Sequence, residues 1–261
     1  PWEFKPLVYL NRWTHEHPIT GRINDADTYT FGADLQVNRV HRVGTAAGTL
    51  TLGATGRYDD QNTDYYKYAD FSTTLSGRIT QVLSDRKGEW IESQDRRAGL
   101  YGIYVQESIR PTGRWIIDAG IRYDEITMDI TGTRTEAYSY SLGRYIPSED
   151  PADVDKTFRD FSPRLGITYK ILDGLNVYGS YSRGFQTPTE GELSDNPDLD
   201  PVSVQNYEIG FKARKSDFAF DTAVYYSPVQ DEVVQVIGPG GESEYVNSGE
   251  TDKRGFEFSG A

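Results

Sequence analysis

Apolar and polar residues alternate along most of this chain with a period of two. In the stretch 29–38, Tyr29, Phe31 and Leu35 fall on one face, while Asp34 and Gln36 fall on the other. A period of two is typical of β-strands that have one apolar face. No stretch keeps the i, i+3, i+4, i+7 spacing of an amphipathic helix, so the pattern predicts an all-β chain. The predicted strands lie at 5–13, 29–38, 50–58, 97–110, 115–124, 158–170, 175–184, 207–214, 218–226 and 244–261.

Short and long connections alternate between these strands. Tight turns are predicted at about 40–48, at 111–113, at 172–174 and at 215–217, where turn-forming residues cluster. The other connections span about 14–27, 59–96, 129–157 and 185–203, with a shorter one at 238–243. Transmembrane barrels have short periplasmic turns and long extracellular loops, whereas a soluble sandwich or propeller has no reason to sort its loops by end.

Strand length and aromatic placement also favour a membrane barrel. The strands run to about ten residues, and a crossing needs about 9–11. The polar face carries charges of both signs, which suits a wet lumen. We therefore predict an antiparallel transmembrane β-barrel segment of about ten strands. The aromatic residues predicted to form interfacial girdles are Trp13, Tyr29, Tyr58, Trp115, Tyr123, Tyr181 and Tyr226.

Composition narrows the function classes. The net charge of −13 argues against a nucleic-acid partner, which needs clustered Lys and Arg. There is no Cys, hence no disulfide and no thiolate site. The long connections together carry −14, so the acidity lies at one end of the sheet. We interpret it mainly as solubility and divalent-ion bridging to lipid headgroups. A second hypothesis is that it disfavours strongly anionic ligands.

Several strings resemble a known family. The pair FSPRLGITYK (161–170) and LNVYGSYSRGFQTP (175–188) looks like paired strands of TonB-dependent receptor barrels. The string NPDLDP (196–201) with QNYEIGFKAR (205–214) resembles a loop and strand of that family. The strings YVNSGETDKRGFEFSG (245–260) and YGIYVQES (101–108) with WIIDAGIRYDE (115–125) resemble further recurrent strands. Their order makes the combination fairly specific.

The resemblance implies a plugged barrel of about 22 strands in the bacterial outer membrane. It also implies active import of a scarce nutrient, driven by the TonB complex through the plug. Typical cargo of the family is a ferric siderophore, haem, cobalamin or a glycan, and a ferric siderophore is the favoured one here. The implied partners are outer-membrane lipid, lipopolysaccharide, TonB and a small metal chelate. We interpret residues 1–261 as a partial barrel domain without the plug or the terminal strand.

Seven residues near the predicted rim are candidates for ligand binding, because Arg and aromatic side chains hold siderophore-like ligands by charge-assisted hydrogen bonds and stacking. At any single position, a girdle tyrosine or a lumenal ion pair is the favoured alternative. The candidates are Arg57, Tyr58, Arg97, Tyr123, Tyr181, Arg183 and Gln186.

Metal and catalytic motifs are weak. The sequence His15-Glu16-His17 lies in a predicted outer loop and lacks a fixed third ligand, so a solvated loop is favoured over a metal site. Calcium at the acidic loop around Asp195 and Asp198 is disfavoured, because prolines interrupt the spacing. No catalytic motif occurs, and the chain is predicted not to be an enzyme. The alternatives left open are a small barrel acting as porin, adhesin or surface protease, and a soluble β-protein.

Overall fold

The computed structural model describes residues 1–215, 218–237 and 243–261, which form one antiparallel sheet of ten strands with three small hairpins. The order in the sheet is β1-β2-β3-β6-β7-β10-β11-β12-β13-β16. In chain order the elements are β1 (Trp2–Ile19), β2 (Arg22–Val43), β3 (Ala46–Tyr68), β4 (Phe71–Thr73), β5 (Ile79–Val82), β6 (Lys87–Thr112), β7 (Trp115–Arg134), β8 (Glu136–Ser139), β9 (Arg144–Pro147), β10 (Val154–Leu172), β11 (Leu175–Gln186), α1 (Glu190–Asp195), β12 (Val202–Arg214), β13 (Ala219–Gln230), β14 (Val233–Ile237), β15 (Ser243–Asn247) and β16 (Glu250–Gly260). The ten-strand antiparallel prediction is confirmed.

The early strands are much longer than predicted. Strand β6 has 26 residues and β3 has 23, and at about 3.3 Å per residue β6 extends roughly 85 Å. A crossing needs only about 9–11 residues, so these strands continue far beyond the bilayer. Their outward face changes there from apolar residues such as Tyr58 and Ile103 to charged ones such as Asp60 and Arg97.

Several predicted connections are wrong in extent. The long loop predicted at 14–27 is the turn Thr20-Gly21, where Gly21 has a φ of 87°. The connections predicted at 59–96 and 129–157 are shortened by the flanking strands and contain the hairpins β4–β5 and β8–β9. The strand predicted at 244–261 is two strands, β15 and β16, separated by Ser248-Gly249. Most of 215–217 and of 238–243 lies outside the described residues.

The predicted alternation of faces is present in the sheet. Direct cross-strand partners share a face, and Phe31, opposite Tyr58, is 53% exposed on the apolar face. We call this face outward and the polar face inward. Trp13 is a correction, because it lies opposite Thr28 on the inward face and therefore does not belong to an outer girdle.

Four inward tyrosines lie flat over the glycine directly opposite on the next strand. A Cβ built on Gly53 would overlap the ring of Tyr104, and the same holds for Gly32 beneath Tyr9. The missing side chain leaves room for a ring to lie along the wall, which keeps the inner surface smooth. The pairs are Tyr9–Gly32, Tyr104–Gly53, Tyr178–Gly210 and Tyr225–Gly255.

We expect Gly53→Ala to lower the free energy of unfolding by about 1–3 kcal/mol, because the new methyl group must push the Tyr104 ring off the wall. The matched control is Gly56→Ala on the same strand, where the nearest atom to a new Cβ is Tyr101 Cδ1 at 3.7 Å. The control should be neutral or up to about 1 kcal/mol more stable. Urea unfolding in lipid vesicles measures both, and equal effects would refute the role of the Tyr104–Gly53 pair.

One short helix, α1, interrupts the β-structure. The prediction that no stretch is helical is wrong here. Thr189 is the N-cap of a helix of six residues and forms a capping box with Glu192. No helix in the described ranges is long and apolar enough to span a bilayer.

Candidate site on the inner wall

The inner wall at the loop end carries one continuous row of polar side chains. The register places His17, Asn24, Tyr65, Glu92 and Arg134 opposite one another across β1, β2, β3, β6 and β7. Neighbouring strands lie about 4.8 Å apart, so side chains in such a row can contact each other. The row sits well beyond the membrane-crossing part of the strands, at the mouth of the barrel.

Glu92 is the centre of a buried ionic cluster in this row. Its side chain is almost fully buried, and both of its oxygens accept hydrogen bonds of 2.9 Å from Arg134. Arg22 lies 3.6 Å away and stacks 4.1 Å above the Tyr65 ring. Gln94 Nε2 donates a 2.6 Å bond to Glu92 Oε1. The bonds to Glu92 raise the pKa of Arg134 above its ordinary value. A buried carboxylate is tolerated because it is paired on all sides.

The segment 187–201 folds inward onto this wall. Leu193 and Leu199 are buried and join a cluster with Ile130, Val154 and Phe158 of β7 and β10. The helix is also held by an ion pair of 3.2 Å between Glu190 and the inward Arg96. The segment therefore narrows the mouth rather than projecting into solvent as an acidic tip.

Local chemistry explains the shape of this segment. Thr189 Oγ1 accepts a bond of 3.3 Å from the Glu192 N–H, and the Glu192 carboxylate accepts one of 2.6 Å from the Thr189 N–H. Asn247 exchanges two bonds with the backbone of Asp200, of 2.9 and 3.0 Å. Two acidic side chains of this loop, Glu190 and Glu192, are thus already engaged. Across the described ranges, no three His, Asp or Glu side chains converge as a metal site.

A concave site of about 570 Å³ lies lower on the wall. Arg122 Nε is bonded to Asp124 at 2.7 and 2.8 Å. Arg164 makes no ion pair with any described residue and lies 3.2 Å from the position of a Cβ on Gly120. The site combines guanidinium, amide and phenol groups without a carboxylate. Its lining includes Gln36, Tyr104, Gln106, Arg122, Arg164 and Arg183.

The structure divides the seven predicted ligand residues between the two faces. Arg57 and Gln186 are inward, and Arg57 Nε lies 2.8 Å from Asp59. Arg183 bends towards β10, where it bonds Asp160 and, at 2.6 Å, the carbonyl of Phe161. The pairing of β10 with β11 ends at Arg164 on the loop side, and the Arg183 side chain bridges the two strands beyond that point.

The other four candidates lie on the outward face. Tyr123 packs on Phe161 with ring centroids 4.9 Å apart, and Tyr181 packs on Tyr207 at 5.0 Å. Tyr58 is also outward. Arg97 lies between Asp60 and Asp129, at 3.7 and 3.9 Å. This placement fits the girdle alternative for the three tyrosines, whereas Arg97 lies in an outward ion-pair setting. Their role in ligand binding stays a prediction.

Some residues of the wall were missed by the sequence analysis. Tyr104 and Gln106 lie in YGIYVQES, where the period of two already places both on the polar face. Glu92 and Tyr65 lie within the predicted connection 59–96, whereas the structure has them in β6 and β3. His15 and His17 were also assigned to a loop, but both lie in β1.

Comparison with known proteins agrees with the fold. The profile of the family "TonB dependent receptor-like, beta-barrel" matches residues 2–261. The "Probable TonB-dependent siderophore receptor PiuA" of Acinetobacter baumannii is 26% identical over 93% of this chain. The "Ferrichrome outer membrane transporter/phage receptor" of Escherichia coli strain K12 is 25% identical over 90% of the chain.

Solved structures give the same result. The unliganded ferric citrate transporter FecA superposes over 99% of this chain with a TM-score of 0.69 at 12% identity, and the Acinetobacter baumannii PiuA structure over 92% with a TM-score of 0.64 at 19% identity. These identities support likeness of fold. The chain spans about a third of these relatives, 34% of the curated PiuA, 30% of the ferrichrome transporter, 36% of FecA and 37% of the PiuA structure.

Proposed function

The chain belongs to the TonB-dependent receptor-like β-barrel family of the bacterial outer membrane, and from this premise we propose that it forms part of the wall of an importer of ferric siderophores. Import is driven by the TonB complex through a plug domain. Lipid and lipopolysaccharide surround the outward face. Curated relatives named as siderophore and ferripyoverdine receptors support this cargo class.

The observation that carries the proposal is the polar inner wall beneath the inward-folded segment 187–201. Arg57 lies on this wall with a side chain that is 53% exposed. Its guanidinium has five N–H donors, and Asp59 occupies only part of them. Such a group suits the oxygen-rich surface of a ferric chelate.

Charge narrows the cargo further. The stretches that the sequence predicts as long connections are strongly acidic even though much of them is strand, and a field of this sign at the loop end repels anions approaching the mouth. Arg57 of the inner wall lies further from the loop end than these acidic stretches. Neutral carbonyl and hydroxamate oxygens of a ligand can accept hydrogen bonds from its guanidinium group there. We therefore propose a ferric chelate of low net charge as the cargo. Tight binding of a tri-anionic ferric tris-catecholate that is insensitive to salt would refute this part.

Arg57→Gln in the full-length receptor should weaken binding of a neutral ferric hydroxamate roughly tenfold, about 1.4 kcal/mol, because a charged donor on the inner wall is lost. Arg97→Gln is the matched control. Arg97 is 56% exposed and also lies beside aspartates, but it faces outward. Binding is measured with purified protein, and uptake of ⁵⁵Fe is measured in cells with and without TonB.

The outcomes separate the parts of the proposal. Uptake that persists without TonB would overturn active import. Equal loss in Arg57→Gln and Arg97→Gln would overturn the inner wall as the binding surface, while leaving import itself intact.

A further inference from the structure

Three inward aromatic side chains of β1 lie next to one another at the mouth. Trp13, His15 and His17 occupy alternate positions of the strand, so they share a face. The ring centroids of Trp13 and His15 are 4.6 Å apart, and those of His15 and His17 are 5.0 Å apart. His17 lies in the same row as the Glu92 cluster. The prediction of a solvated loop is wrong for the backbone here, because the strand fixes the two imidazoles side by side.

The spacing of the two histidines matches chelation. A metal–nitrogen bond is about 2.0–2.1 Å, so a bound metal lies roughly 3.2 Å from each imidazole centroid. Two imidazoles on one metal are then about 4.5 Å apart at a right angle and about 5.2 Å apart at a tetrahedral angle. The observed 5.0 Å falls between these values. Both side chains leave the same face of one strand at alternate positions, so rotation about their side-chain bonds can direct one nitrogen of each to a common point.

The surroundings leave the inward face open for a ligand. Ala26, opposite His15, is small, and Asn24, opposite His17, has a buried side-chain oxygen without a hydrogen-bond partner. Glu16 lies between the histidines in sequence but points outward, where it pairs with Lys87 at 2.7 Å. The available donors are thus two imidazoles with an amide oxygen nearby.

We propose that His15 and His17 bind a divalent transition-metal ion on the inner wall. Imidazole ligands favour Cu²⁺ most strongly among the divalent first-row metals, so Cu²⁺ is the ion expected to bind most tightly. The site is a separate property from siderophore import and does not depend on it. It offers a metal-binding position at the mouth that a metal or a metal complex with free coordination positions can occupy.

The test is a titration of the full-length protein in detergent with Cu²⁺. Binding is monitored by tryptophan fluorescence and by electron paramagnetic resonance. Trp13 stacks on His15, so bound Cu²⁺ should quench its share of the emission. The double variant H15A/H17A should bind one equivalent of Cu²⁺ less than the unaltered protein. The resonance spectrum should show nitrogen coupling that the double variant lacks.

The chain supplies its own control in its third histidine. His41 lies near the opposite end of the strands, where it contacts both oxygens of Glu107 at 3.0 Å. His41→Ala should therefore bind as much Cu²⁺ as the unaltered protein. Trp13→Phe should keep the binding and lose the quenching.

Two results would overturn the proposal. One is full Cu²⁺ binding in a H15A/H17A protein that still migrates as a folded barrel on unheated gels. The other is equal loss in His41→Ala, which would indicate general surface binding. The Cu²⁺ titration of purified protein needs neither TonB nor a ferric chelate, so a failure of this proposal and a failure of the import proposal are distinguishable.

Discussion

Replacing Glu92 with leucine is expected to destabilise the loop end of the barrel by about 3–5 kcal/mol. The carboxylate is 1% exposed and is the shared partner of Arg134 and Arg22. Without it, two partly buried guanidinium groups remain next to each other with no anion between them. Hydrogen exchange of the backbone amides of β6 and β7 measures the effect locally, and urea unfolding in lipid vesicles measures it globally.

The matched control is Glu89→Leu on the same strand. Glu89 forms an ion pair of 2.8 Å with Lys67, but its side chain is 73% exposed. Exposed pairs contribute about 0–1 kcal/mol, so little change is expected. The double variant E92L/R134L should recover part of the loss, because one of the two stranded charges is removed with its partner. A loss in Glu92→Leu no larger than in Glu89→Leu would show that the cluster is not truly desolvated.

The sequence predicted the faces of the strands well. In 29–38 every assigned face agrees with the cross-strand partners in the sheet. The reason is physical, because a strand has a side-chain period of two whatever its neighbours are. The number of strands in the sheet and their antiparallel order follow from the same pattern and from the turns.

Strand length was underestimated because the apolar signal ends at the membrane surface. Residues 59–62 are all polar, yet each has a cross-strand partner on both sides. Beyond the bilayer both faces meet water, so the hydrophobic alternation fades while the hydrogen-bonded ladder continues. The first hairpin shows this most clearly, since its two strands reach Ile19 and Arg22.

The candidate site could be predicted only in part. The face of the sheet on which each side chain lies can be read from the period of two. This period alone places Arg57 inward and Tyr58 outward. The register between neighbouring strands cannot be read in the same way, because the sequence of one strand does not determine which residue of the next strand lies opposite each of its own. The row from His17 to Arg134 and the tyrosine–glycine pairs depend on register alone. The capping box at 189–192 is a local signal in the sequence, since it needs only a Thr followed three residues later by a Glu.

Leu193→Asp is expected to release the segment 187–201 from the inner wall. Leu193 is fully buried against residues of β7 and β10. Burying a leucine contributes about 1.5–3 kcal/mol, and an unpaired carboxylate at the same position would cost several kcal/mol more. The docked state should therefore become a minor one. Because the chain has no Cys, a single spin label can be placed at Asp198→Cys, whose side chain is 97% exposed in the docked segment.

The spectrum of that label reports whether the segment is held, and a matched variant separates the two forces that hold it. Glu190→Gln removes the ion pair of 3.2 Å with Arg96 and keeps the leucines. Both partners of that pair are partly exposed, so the loss should be within about 1 kcal/mol and the segment should stay docked. We expect a mobile spectrum for Leu193→Asp and a spectrum like that of the unaltered protein for Glu190→Gln. The reverse pattern would mean that the charge pair holds the segment and that the apolar contacts merely follow it.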